Sequence, residues 1–249
     1  MMVVVLGAGA SGGIPVPYCR CRSCEEARRI KVARRKPTSV LIVFGENKCI
    51  LVDAGFDVSE HVDPLDLRAV LITHWHHDHF AGLYRLRWTP RKIPLYSPKI
   101  RDPEIASNPL RLDPHILKAF DTVTIDEIKV TALPLEHPVE TYGYLIESKS
   151  SSIAVLFDTK GLPSATLEFL RKKKVALALI DANFPPGASY EGHNNVDEAL
   201  EIGKEIGVNL TVLTHISHEN LPFSELRRYV AEKTSRATVA YDGMTITLP

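Results

Sequence analysis

The chain has 249 residues, 45% of them hydrophobic and 24% charged, and its 30 basic and 30 acidic side chains cancel to a formal net charge of +0. That balance argues against intrinsic disorder and removes any global pull toward a polyanion, so nucleic acid is not an expected partner. No apolar run reaches the length needed to cross a bilayer, and of the four cysteines three cluster within Cys19 to Cys24, which suits a metal knuckle in a reducing compartment and predicts a cytoplasmic protein.

Met2 to Leu6 reads as a buried strand that runs into Gly7-Ala8-Gly9-Ala10-Ser11-Gly12-Gly13, a match to G-x-G-x-x-G. A dinucleotide site needs a helix straight after those glycines. Ile14-Pro15-Val16-Pro17 cannot open one, so the glycines are expected to form a tight turn where backbone passes close to a site. Cys19-Arg20-Cys21-Arg22-Ser23-Cys24 offers three thiolates and needs a fourth ligand from elsewhere. Glu25 to Lys36 predicts a helix with a solvated basic face of Arg28, Arg29, Lys31, Arg34, Arg35 and Lys36.

Strands are expected at Ser39 to Phe44 and Cys49 to Val52, the second ending in Asp53, with Cys49 in the core. Leu67 to Ile72 is another, and it delivers Thr73-His74-Trp75-His76-His77-Asp78-His79-Phe80 before a helix over Phe80 to Leu86. Residues 85 to 121 are Pro-rich and irregular and read as a lid, a dimerisation surface or a plain surface loop. Further strands are predicted at 123–125, 128–133, 143–147, 153–157, 175–180, 210–213, 237–240 and 244–248, with helices at 163–173, 196–206 and 222–234. No repeat or linker interrupts the pattern, so a single domain spanning 1–249 is expected. Asp53, His74, Asp158, Asp181 and His215 all stand at strand ends, which places those ends on one rim of a sheet system.

The H-x-H-x-D-H pattern packs imidazole and carboxylate ligands of the kind that divalent transition metals prefer. His74, His76 and His137 would hold one ion, and Asp78, His79 and His215 a second, with Asp158 bridging. Two ions roughly 3.5 to 4 Å apart lower the pKa of a shared water and neutralise phosphoryl charge. His193, on the Gly-flanked loop Glu191 to Asn195, is placed to protonate a departing alkoxide. His218 is placed to complete a closed Cys3His zinc site with Cys19, Cys21 and Cys24, tying the N-terminal loop to the C-terminal half.

His74 to His79, followed in order by His137, Asp158 and His215, resembles the metallo-β-lactamase superfamily, and the likeness covers nearly the whole chain. The cysteine knuckle, Leu86-Arg87-Trp88, Asp158-Thr159, His193 and Leu213 to His218 narrow the resemblance to its phosphoribosyl 1,2-cyclic phosphate phosphodiesterase branch. That likeness implies a four-layer αβ/βα sandwich and hydrolysis of a small cyclic phosphodiester. It also implies manganese or zinc at the two-ion site, a structural zinc at the cysteines, His193 as acid/base, and a homodimer. Competing expectations are a tRNA 3′-processing-type endonuclease, which needs a protruding basic arm for long RNA, and a glyoxalase II-type thiolester hydrolase, which lacks the Cys3His site. A non-catalytic scaffold would show a missing ligand, and none is missing.

Overall fold

A computed structural model describes residues 1–101 and 111–249. Two seven-stranded sheets face one another. The first runs β14(Thr245–Thr247)-β1(Met2–Gly7)-β2(Ser39–Phe44)-β3(Lys48–Val52)-β4(Asp66–Leu71)-β5(Ile93–Ser97)-β6(Leu112–Ile116). The second runs β13(Ala237–Val239)-β12(Leu210–Thr214)-β11(Leu177–Asp181)-β10(Ser152–Leu156)-β9(Tyr142–Glu147)-β8(Ile128–Pro134)-β7(Thr122–Ile125). Each sheet begins with antiparallel hairpins and turns parallel, from β3 in the first and from β10 in the second.

Period-2 alternation explains the layering. Val3, Val5, Ile42, Ile50, Val52 and Leu71 point from one sheet into the same cluster as Val130, Tyr144, Ile153, Val155, Leu179 and Val212 from the other. The strands are apolar on their second face as well, because helices cover both outer surfaces. Leu41, Leu51, Val70 and Leu95 pack against short helices α2(Ser59–Val62), α3(His77–Phe80) and α4(Leu83–Leu86). Leu133, Leu145, Leu156 and Ile180 pack against α1(Arg22–Arg29), α5(Ser164–Arg171), α6(Val196–Ile206) and α7(Phe223–Lys233). The result is the four-layer αβ/βα arrangement. No helix among the described residues is long and apolar enough to cross a membrane.

Three expectations need correction. The Pro-rich stretch at 85–121 is not a detached lid: it supplies β5 and β6, which extend the first sheet in parallel register, with Pro94 and Pro114 inside them. Among the described residues β6 is the outer strand of that sheet, where Pro114 costs little because one side has no ladder partner there. The part of the lid reading that falls on residues 102–110 lies outside the described residues. Helix α1 ends at Arg29 and a single 3-10 turn at Lys31–Ala33 follows, so the basic run is not one helical face. Arg35 in particular is buried, donating to the carbonyls of Ala33 and Ala240 at 3.4 Å, and burial draws its guanidinium down to about 10. Finally, the segment expected as one helix over Phe80 to Leu86 is the two short helices α3 and α4, broken at Ala81 and Gly82.

Candidate metal centre

The parallel strands β3, β4, β10, β11 and β12 all end on one rim, and the polar residues at those ends converge there. Two close groups of ligand-type atoms result: His74, His76, His137 and Asp158, then Asp78, His79 and His215. Asp158 stands between them. Its Oδ2 faces His74 Nε2 at 3.5 Å and His137 Nε2 at 3.8 Å, while its Oδ1 faces His79 Nε2 and His215 Nε2, each at 3.3 Å. One carboxylate therefore addresses the first group with one oxygen and the second group with the other.

Hydrogen bonds on the far side of the rings fix which nitrogen each histidine presents. His137 Nδ1 lies 2.9 Å from the Gly192 carbonyl, which only accepts, so Nδ1 carries the proton and Nε2 the lone pair. His79 Nδ1 donates to Asp53 Oδ2 at 2.7 Å. Thr38 Oγ1 gives its own proton to the Gly9 carbonyl at 2.9 Å and so accepts from His215 Nδ1 at 2.7 Å. Thr73 Oγ1 likewise donates to Asp53 Oδ2 and accepts from His74 Nδ1 at 3.0 Å. Four Nε2 lone pairs thus face inward. His76 is the exception: its Nδ1 lies 2.8 Å from His74 Nε2 and 3.3 Å from His137 Nε2, so Nδ1 is its inward atom.

Such an arrangement is costly without cations. His79 Nε2 and Asp158 Oδ1 are buried polar atoms with no hydrogen-bond partner among the described residues, and lone pairs facing each other at these distances repel. The nitrogen and oxygen donor set fits zinc, manganese or iron, and the orphaned atoms are the ones a cation would satisfy. The titration behaviour agrees. Burial, with the neighbouring His79 charge, holds His74 well below the usual imidazole range, and burial also lowers His76 and His137. Burial opposes ionisation of Asp158, but the imidazoles around it outweigh burial and hold the carboxyl well below its usual range; Asp158 and Asp53 in turn raise His79 against its burial, so in the absence of a cation a proton satisfies that ring.

Asp53, Asp158 and His215 all sit at left-handed backbone angles, with φ of 56°, 50° and 55°. The chain also comes unusually close at Gly55, where an added Cβ would lie 2.1 Å from the Asp78 carbonyl oxygen. Gly7, in the first turn, is held by the same constraint against Pro37 O at 1.9 Å, so the glycines do mark close backbone passage and a turn, closed by Gly13 N to Ala10 O at 2.9 Å.

His193 lies beside these groups, its ring stacked on His215 with centroids 5.2 Å apart and its Nδ1 2.8 Å from Asp181 Oδ2. Burial works against its protonation, but the hydrogen bond and charge of Asp181 prevail and raise it to about 9. Its pocket, about 330 Å³, is also lined by Ser11, His76, Asp78, Asp158, Asn183 and His215.

A separate cluster joins Cys19, Cys21, Cys24 and His218. His218 Nδ1 lies 3.4 Å from Cys19 Sγ and 3.6 Å from Cys21 Sγ, and Cys21 Sγ caps α1 by accepting from Cys24 N. The backbone N–H of Cys21 helps bring the Cys19 thiol down to about 7, while burial pushes Cys24 up to about 12. Three sulfurs and one nitrogen in a closed, half-buried group suit a structural zinc. Cys49 lies apart, buried in the first sheet.

Every ligand-type residue singled out in the sequence is brought into one of these two clusters. Asp53, Asp181, Thr38 and Thr73, which orient the imidazoles, were not singled out for that role. Asp53 and Asp181 carried the signal of a carboxylate at a strand end; Thr38 and Thr73 carried none.

The family model described as the beta-lactamase superfamily domain matches residues 48–216. The chain belongs to the beta-lactamase superfamily. Among its relatives in that superfamily fold, the crystal structure of a diphosphatase from the PhnP family is 25% identical and superposes with a TM-score of 0.84 over 98% of this chain and 96% of that one. A protein named octanoyltransferase from Porphyromonas gingivalis is 30% identical over 240 residues, covering 88% of this chain and 46% of the relative. The chain thus spans about half or less of the first curated relatives it matches, 46% of that one and 35% of a coenzyme PQQ synthesis protein B from Cupriavidus taiwanensis. Ribonuclease Z from Methanopyrus kandleri is 27% identical over 265 residues, with 85% of this chain and 91% of the relative covered.

Proposed function

We propose that this chain is a dinuclear-metal hydrolase that cleaves a cyclic phosphodiester, with phosphoribosyl 1,2-cyclic phosphate or a related cyclic ribose phosphate as its substrate. The observation that carries this reading is the division of Asp158, one oxygen toward His74 and His137 and the other toward His79 and His215, beside an imidazole held by Asp181. His74, His76 and His137 would hold one divalent ion, Asp78, His79 and His215 the other, and Asp158 both. Such ions, manganese or zinc, supply Lewis acidity toward phosphoryl oxygens and acidify a water.

The chain's own part is positioning and proton transfer. Asp53, Thr38 and Thr73 hold their histidines in the tautomer that presents a lone pair, so ligand geometry is set before substrate arrives. Asp181 accepts from His193 Nδ1 and leaves Nε2 to carry the proton that the departing ribose oxygen needs. A ring alkoxide is a poor leaving group, so this proton is the harder half of the reaction. Likeness to a PhnP-family diphosphatase and to ribonuclease Z supports phosphorus chemistry over thiolester hydrolysis.

The test is a hydrolysis panel of cyclic ribose phosphates, 2′,3′-cyclic nucleotides, diphosphates, precursor tRNA and thiolesters, run with metal content measured on the same sample. Turnover of the cyclic ribose phosphates above the rest, lost on chelation and in Asp78→Ala or His76→Ala, is expected. Turnover of precursor tRNA or thiolesters with none of the cyclic phosphates would overturn the reading. His193→Ala should lose far more with an ordinary alkoxide leaving group than with an activated aryl phosphodiester; equal losses would remove it from the acid role.

A further inference from the structure

Asn183 is built in an unusual way. Its backbone is clamped by four hydrogen bonds: its N–H donates to Asp181 Oδ1 at 3.0 Å, and its carbonyl accepts from Ser217 N at 3.2 Å, Ser217 Oγ at 3.0 Å and Asn220 Nδ2 at 3.1 Å. The residue is only 5% exposed. Yet its side-chain amide has no partner among the described residues, and it lines the pocket shared by His193, His215 and Asp158. The amide is not among the fully buried orphaned atoms, so it opens onto that pocket, where its hydrogen-bonding capacity is left for a ligand.

The adjoining wall of that pocket is Ala10 and Ser11, the start of the turn that Gly13 N closes onto Ala10 O. Ala10 N and Gly13 N are used within the fold, donating to Ile216 O and Ala10 O, whereas the backbone N–H groups of Ser11 and Gly12 have no acceptor among the described residues. The Ser11 hydroxyl lines the pocket too. This wall offers three donor groups to a ligand: the Asn183 amide NH2, the Ser11 hydroxyl and the Ser11 N–H. The pocket's carboxylates, Asp78 and Asp158, belong to the metal-ligating groups and would be neutralised there.

We propose that Asn183 and Ser11 form a phosphoryl-oxygen subsite, which grips a substrate oxyanion while the metal-ligating residues address the same group. The inference rests on the phosphoester reading of this pocket. Asn183 is a specificity-determining contact in it, because its clamped backbone fixes where the amide sits and therefore where the oxyanion is held. A thiolester substrate has no such oxyanion in its ground state, so the arrangement would not add to its binding before reaction.

The test uses the metal-loaded protein and inorganic phosphate. Calorimetric titration should show phosphate binding to the native protein, roughly tenfold weaker binding to Asn183→Ala, as expected for loss of a hydrogen bond to a charged group, and weaker binding still to the isosteric but anionic Asn183→Asp. Both variants should keep the native metal content and melting temperature, since the amide bonds to nothing in the fold. Unchanged phosphate affinity in both variants overturns the subsite. So does loss of metal in either, which would make Asn183 a support for the ligands. Should the cyclic phosphates prove not to be substrates while phosphate binding still weakens in both variants, the functional reading fails and the subsite stands.

Discussion

Thr38 and His215 lie 177 positions apart in sequence and meet at 2.7 Å, the hydroxyl of one fixing the ring tautomer of the other. Because Thr38 Oγ1 also donates to the Gly9 carbonyl, the N-terminal glycine turn is wired to a ligand from the far end of the second sheet. Thr38→Val keeps the shape of the side chain and removes the acceptor. Metal affinity measured by competition with a chelator should fall roughly 10- to 100-fold, and Thr38→Ser should restore most of it. Equal affinities for Val and Ser would mean the hydroxyl orients nothing.

Asp181 should govern the proton on His193. In metal-free protein the His193 ring should titrate near 9 by NMR, against 6.5 for an ordinary imidazole, and Asp181→Asn should bring it down by at least a full unit. The folded state binds this proton more tightly than the unfolded chain does. Its contribution to stability is therefore complete below pH 6.5 and is lost as the pH rises through about 9. Metal-free native protein should lose more stability than Asp181→Asn across that window; parallel losses would sever the link.

Cys21→Ala should release the zinc of the Cys19, Cys21, Cys24 and His218 cluster while the other metals remain. That site joins the first turn of α1 to the loop after β12, so its loss should lower the melting temperature by on the order of 5 to 10 °C. Full zinc retention in this variant would remove the cysteines from the ligand set.

The ligand-type residues that cluster at the rim stood out in the sequence because polar groups recur at strand ends and four of them stand within Thr73 to Phe80, a density that no turn requires. What orients them did not. Thr38 is a lone threonine at a strand start, and nothing in its neighbourhood signals a partner 177 residues on. Asn183 is equally silent, since its meaning lies in a side chain without partners, which only packing reveals. The Pro-rich stretch misled for a physical reason: Pro94 and Pro114 are poor strand residues on propensity, and only the position of β6 at the outside of the sheet makes the second of them tolerable.

Gly55→Ala should damage stability and metal binding together. The new Cβ would collide with the Asp78 carbonyl oxygen and lies 2.8 Å from Pro37 Cβ, so relief must come from moving the backbone that carries Asp78. Unfolding free energy should drop by about 1 to 3 kcal/mol in the metal-free protein, with a further loss of metal affinity. An unaffected metal affinity would show that the ligand backbone yields freely.

The left-handed angles at Asp53, Asp158 and His215 set the rim against the stability of the fold. Each holds a side-chain-bearing residue where glycine would rest more easily, at a cost of up to about 1 to 3 kcal/mol apiece. Selection for thermal robustness alone would favour exchanging them, and Asp158→Gly in particular should yield a tougher but metal-poor molecule. Three of the residues that build this rim therefore carry their side chains at a conformational cost to the fold.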